Sequence, residues 1–268
     1  MGFEPHISVI FGADAHDHRS VARVGGVGTK QGSDRASDRA SGRASKKPPA
    51  AALKRDPAYR AAVLDVLGVI AYSELSAFAR MAADARLAPD LNANVALSRM
   101  AVAELEHFGL LEARLAKLGI DPAEAMAPFV EVVDTFHEQT APSDWLEGLV
   151  KVYVGDGIAR DFYGEIASFL DASTEGLVRE AVTAILAEDY IVGAVRAAIE
   201  KDPTVKGRLA LWARRLVGEA LTQAHGVARD RDQLTNLVAA GDDPDAVAKI
   251  FVRITQAHGA RVAALGLD

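Results

Sequence analysis

The stretch LSRMAVAELEHFGLL, residues 97–111, decides how the chain is read. Leu97, Met100, Ala101, Phe108 and Leu111 recur at three- and four-residue spacing, which gathers them into one apolar stripe along a helix. Two residues on that stripe are out of place, Glu104 and, three positions later, His107. A carboxylate aimed at a core loses hydration at a cost of several kcal/mol unless a proton, a basic partner or a cation compensates it. An oxygen and a nitrogen donor three residues apart also point to one side of a helix, so the pair can serve a single metal ion.

The punctuation around this stretch is that of a helical bundle. Asp56-Pro57 sets an N-cap before a proline at the first helical position and opens a helix to about Leu87. Pro89-Asp90 closes it and caps a second helix that runs to Leu118, with Gly119 as its stop. Asp121-Pro122 begins a shorter helical piece to about Glu138; Pro142, Ser143 and Asp144 open a third long helix to about Leu170. Ser173 then caps a fourth, which ends before Asp202-Pro203. Two more follow, one from about Thr204 to Ala239 that a break could divide, and one from Asp243-Pro244 to Leu265. At roughly 1.5 Å per residue the four long helices are on the order of 40 Å in length. The connection between the second and third is much longer than the others. The expected fold is therefore all-α, a four-helix bundle with one long crossover plus additional C-terminal helices.

The same kind of interruption recurs on every long helix. The first stripe reads Leu67, Ile70, Ala71, then Glu74, then Phe78. The third reads Leu149, Val152, Tyr153, then Asp156, then Ala159 and Tyr163; the fourth reads Ala181, Ala184, Ile185, then Glu188, then Ile191, Val192 and Val195. Each acid falls within roughly 5 Å of its helix's midpoint, so in an antiparallel bundle all four meet at one level. Four ionised carboxylates together in an apolar core need protons or cations, and a metal is the simplest answer. Asp161 and Glu165 compete with Asp156, but on less apolar faces. Gly155 and Gly157 flank Asp156, and helical glycine, costing about 1 kcal/mol each, is tolerated where a helix bulges at a site or a neighbour must come close.

Composition agrees and adds limits. Half of the 268 residues are apolar and a quarter charged, which excludes fibrous and wholly disordered classes. There is no cysteine, so carboxylates and histidines are left as the strong metal donors, and a reducing cytoplasm fits. The net charge of −7 is uneven: residues 1–50 hold eight Lys/Arg against five Asp/Glu, leaving −10 on residues 51–268. Ser33-Asp34-Arg35-Ala36, Ser37-Asp38-Arg39-Ala40 and Ser41-Gly42-Arg43-Ala44 form a low-complexity repeat, so residues 1–50 are expected to be a disordered tail ahead of a helical domain over 51–268. The apolar run Ile7–Phe11 is too short for a membrane span and lacks a following cleavage pattern.

With these residues in place the chain resembles the ferritin-like di-iron carboxylate superfamily, and in order and spacing it is most similar to the bacterial tRNA-hydroxylase-like branch, over about Ala61 to Ala240. That resemblance implies a carboxylate from the first and third helices and a Glu-x-x-His from the second and fourth. Carried onto this sequence, the metal ligands are Glu74, Glu104, His107, Asp156 and Glu188. The sixth position fails, because Ile191 stands three residues after Glu188. A single iron, an asymmetric pair and a degenerate site are all left open, with manganese as the other metal. Glu219 and His225 could substitute only if their helix packed inward. The implied activity is that of a di-iron monooxygenase, a hydroxylase that activates O₂ with electrons from a separate reductase, since no flavin or nicotinamide fingerprint is present. Tyr72, Tyr153, Tyr163 and Tyr190 lie near enough in sequence to serve it as hydrogen-bond partners or radical relays.

A tRNA substrate would need a basic face, and the −10 of the bundle argues against one; Arg208, Arg214, Arg215, Arg229 and Arg231 form the one cluster, with acids beside it. No membrane partner is expected, and a homodimer is one assembly open to the chain. The alternative is a non-catalytic helical scaffold or interaction protein that kept its core acids as hydrogen-bonded relics; an iron-storage or catalase-like role fits the extra helices less well.

Overall fold

A computed structural model describes residues 48–49, 52–183, 188–239 and 246–268, and every regular element among the described residues is helical. The disordered-tail reading of residues 1–50 falls, apart from Pro48 and Pro49, outside them. Helix α1 spans Pro57–Asp84 and is continued by a 3₁₀ turn, Ala85–Leu87; α2 spans Leu91–Lys117. Both begin as the sequence indicates: Asp56 accepts from the N–H groups of Ala58 and Tyr59, and Asp90 accepts from Ala93 at 2.9 Å. Gly119 ends the second with φ of +73°, a left-handed stop that glycine adopts without strain. The two helices pack along their lengths, sealing Val63, Leu67 and Ile70 of α1 and Leu97, Met100, Leu111 and Leu115 of α2. By length and apolar composition Pro57–Leu87 could cross a membrane, but it is the central helix of this core and more than half buried in it.

The crossover holds α3, Pro122–Met126, a 3₁₀ turn, Ala127–Phe129, and α4, Val130–Gln139. It lies directly on α1. A Cβ added at Gly68 would stand 2.2 Å from the carbonyl oxygen of Ala125, and Phe129 is fully buried beside the same point. Glycine at 68 lets two backbones touch, and this fixes where the crossover returns.

The third long helix is one helix in three parts, α5 (Trp145–Val150), a π segment (Lys151–Asp156) and α6 (Gly157–Ala167). Asp144 caps it by accepting from Glu147 N at 2.9 Å, and the Glu147 carboxylate reaches back to accept from Ser143 N at 2.8 Å. The fourth helix departs from expectation twice. Its cap is Asp171, not Ser173: Asp171 accepts from the N–H groups of Ser173 and Thr174 and from the Tyr59 hydroxyl at 3.0 Å. It is also divided into α7, Ala172–Ala181, and α8, Glu188–Lys201, with residues 184–187 outside the described set. β-branched Val182 and Thr183 follow α7, and Thr183 Oγ1 bonds back to the Arg179 carbonyl at 3.0 Å, a local bond that competes with helix continuation.

Among the described residues three further helices follow, α9 (Val205–Asp230), α10 (Asp232–Ala239) and α11 (Ala246–Ala264). The break at Arg231 is the division left open for the helix after Thr204; the Asp243-Pro244 start lies outside the described residues. The fold is thus the all-α bundle expected, with its long crossover and extra C-terminal helices.

Two predictions follow from the crossover. Gly68→Ala should cost at least about 1–3 kcal/mol in urea or thermal unfolding, because backbone rather than a pliable side chain blocks the new methyl. His137, buried on α4 with Nδ1 unpartnered, is pushed down from 6.5 to about 3 by burial, helped by Lys151 and Arg80. The folded state thus holds it neutral, and its contribution, whole above about pH 6.5, is lost as the solution is acidified towards 3. His137→Leu should gain on the wild type steadily as pH falls from 7 to 4; a difference that stays flat with pH would contradict this.

Candidate metal centre

Glu74 follows Leu67, Ile70 and Ala71 on the inner face of α1, and Glu104 follows Leu97, Met100 and Ala101 on that of α2. Packing the two apolar stripes together therefore carries both acids inside, at 6% and 5% exposure. His107, on the turn after Glu104, turns its Nδ1 to both: that atom lies 3.5 Å from Glu74 Oε2 and 3.5 Å from Glu104 Oε2. One donor atom from each of the three residues lies within 4.8 Å of the others. Glu74 Oε2 is sealed from solvent and has no hydrogen-bond partner.

The electrostatics of this trio are those of a crowded site. Burial raises the Glu74 carboxyl well above the carboxylate range, and the neighbouring Glu104 adds to the rise against the pull of His107. Burial raises Glu104 too, but its contacts with Glu74 and His107, together with the charge of Arg160, outweigh that and hold it low. His107 is pushed up to about 9 by Glu104 and then Glu74, against desolvation. Without an ion, one proton on Glu74 and one on His107 balance the carboxylate of Glu104.

Asp156 stands beside the trio rather than in it. It closes the π segment, so the glycine pair around it does mark a helical bulge, a feature frequent at functional sites. Gly157 answers a second need: a Cβ there would come within 2.7 Å of Arg261 Nε, from α11. Asp156 Oδ2 is sealed and unpartnered, and burial, then Glu104, pushes the carboxyl up to about 8 while Arg160 and Lys151 pull it down. Glu188 is not brought in. Its side chain is 45% exposed and Oε1 accepts from Arg160 Nη2 at 3.2 Å, because the division of the fourth helix places it at the first turn of α8. Ile191 is buried in the apolar core.

The competing residues are engaged elsewhere. Asp161 pairs with Arg261 and Glu165 with Arg253, both from α11, while the His225 ring packs against Phe251. Of the four tyrosines only Tyr163 adjoins the trio. Its hydroxyl is 2.8 Å from Ser73 Oγ, next to Glu74, and burial pushes it up to about 12. Since Ser73 donates to the Val69 carbonyl at 2.9 Å, Tyr163 is the donor between them. Tyr72 bonds to Asp134, Tyr153 lies in the core and Tyr190 is exposed.

Arg160 and Lys151 were not legible as part of the site. Lys151 is buried, donates to the Thr140 carbonyl at 2.8 Å and is lowered to about 8, chiefly by burial, with Asp156 and Asp84 opposing. Position 160 is four residues after Asp156, on the same side of the helix, and that spacing was the available signal. A cleft of about 560 Å³ is lined by the Arg160–Glu188 pair and by Arg179, Arg253 and Arg261. Within the arginine cluster on α9 and at its end, Arg208 pairs with Asp144 and Glu147, Arg229 with Asp230, and Arg231 with Asp65.

Comparison with curated proteins gives no match. Residues 57–241 match the family described as ferritin-like domain, actinomycetes, a span that takes in the whole bundle and all three residues of the trio. With the crossover topology and the acid–imidazole centre between α1 and α2, that match over more than half of the chain places the protein in the ferritin-like domain family of actinomycetes.

Proposed function

We propose that Glu74, Glu104 and His107 hold a redox-active divalent cation, iron before manganese, and that the chain is an oxygen-using ferritin-like enzyme related to the hydroxylase branch. The observation that carries this reading is the sealed Oε2 of Glu74, without a hydrogen-bond partner and facing a second carboxylate and an imidazole nitrogen. A buried acceptor left this way is costly, and a cation bound to all three donors removes the cost. Hard carboxylate oxygens with one imidazole suit iron or manganese. Iron held there supplies one-electron chemistry towards O₂.

The chain's own groups have definable tasks in this reading. Glu104 is the carboxylate already ionised, so it is the first to receive a cation, while Glu74 and His107 release protons as they bind. The Tyr163 hydroxyl, kept protonated, is a neutral hydrogen-bond donor beside Glu74. Electrons come from a separate reductase. The substrate enters by the arginine-lined cleft; the acidic balance of residues 51–268 favours a small molecule over tRNA, and the pairing of Arg208, Arg229 and Arg231 with acids supports that choice.

One observation favours the alternative, a scaffold that keeps these acids as relics: the trio can neutralise itself with two protons. The readings part on metal content. Protein made in iron-supplemented medium should hold metal in proportion to chain, lose it in Glu104→Ala, and gain about 5–10 °C in melting temperature when saturated with Mn²⁺. Glu74→Gln should lose that gain. Less than about 0.3 iron or manganese per chain, unchanged by Glu104→Ala, together with a neutral or stabilising Glu74→Gln, would favour the scaffold.

A further inference from the structure

The ferritin-like pattern holds two metal ions, and the residues that would hold the second do not fit it. Asp156 has a short side chain set at the end of a π segment. The Oε1 of Glu188 is committed to Arg160 at 3.2 Å, with the side chain nearly half exposed. Ile191, buried in the core, occupies the place of the second nitrogen ligand.

Fixed cations lie in that half instead. Arg160, one helical turn beyond Asp156, has only 18% of its side chain exposed, and its guanidinium acts on Asp156 and Glu104 while bonding Glu188. Lys151, at the other end of the π segment, is buried with its Nζ donating to the Thr140 carbonyl at 2.8 Å. An ion held at Asp156 and Glu188 would have to displace the Arg160 guanidinium from Glu188, and a guanidinium cannot shed its proton to make room for a second divalent charge.

Resting on the metal-binding reading above, we propose that the centre is mononuclear: one divalent cation binds at Glu74, Glu104 and His107, and the side chain of Arg160 stands in for a second ion at Glu188. The third helix thus builds its own counter-charge into the site. The π segment ends at Asp156, and Arg160 follows one α-helical turn later on the same side of the helix.

The test uses the full chain and Mn²⁺ alone, read by metal analysis after gel filtration and by electron paramagnetic resonance. The wild type should bind one Mn²⁺ per chain and give the six-line spectrum of an isolated ion. Two ions per chain, or the spectrum of an exchange-coupled pair, would overturn the mononuclear centre while leaving metal binding intact. No bound ion would remove the metal-binding reading and this inference with it. Arg160→Gln, which uncovers the acids, should take up a second, weaker Mn²⁺, and Arg160→Lys, which keeps the charge, should stay at one. If Arg160→Gln folds poorly, its melting temperature should rise more with Mn²⁺ than that of Arg160→Lys; equal stoichiometry and equal metal response in the two variants would refute the stand-in role.

Discussion

Two carboxylates and an imidazole enclosed between α1 and α2 are the constraint on which the rest of the molecule depends. The helices are held by ordinary apolar packing above and below that level. At it they bring like charges together in a medium where each unpaired charge costs several kcal/mol. Protons on Glu74 and His107 meet this constraint without an ion, and a cation bound to the three donors would meet it by displacing those protons.

The elements around the trio act on this constraint. The third helix puts a third acid, Asp156, and the Arg160 guanidinium beside it, and the C-terminal helices hold that helix in place. Trp212 of α9 donates to the Glu147 carbonyl at 2.9 Å, and Arg208 reaches the Glu147 carboxylate, so α9 grips the start of the third helix. From α11, Arg253 and Arg261 clamp Glu165 and Asp161, its outer acids. These helices lie beyond a minimal four-helix bundle, and their ion pairs account for the acids on the third helix that do not face the centre. The crossover has the equivalent role for α1, through the backbone contact at Gly68.

Much of this was readable from sequence because caps and stripes are local. Asp56-Pro57, Asp90, Gly119, Asp121-Pro122 and Asp144 each act within a few residues, and each stands where a helix begins or ends. Glu74, Glu104 and His107 were legible for a related reason: apolar periodicity is strong on α1 and α2, and an interruption shows. The fourth helix was misread because a stripe cannot report a break when apolar residues continue on both sides of it; Ala181 and Ala184 keep the pattern in the sequence while the helix ends at Ala181. Glu188 left the centre for that reason. Asp171 caps α7 by bonds as local as the others; Ser173, two residues on and equally suited to cap, masked it, and the Tyr59 hydroxyl 112 positions away then fixes the choice. Arg160 and Lys151 were hidden by the habit of reading basic residues as surface, which burial on a bulged helix overturns.

The chemistry assigned to the trio can be examined in place. Crystals of the full chain soaked in Mn²⁺ and measured at the manganese absorption edge should show one anomalous peak within bonding distance of Glu74, Glu104 and His107, with Arg160 still paired to Glu188. A map with no peak at the trio, or with its peak between Asp156 and Glu188, would contradict the assignment.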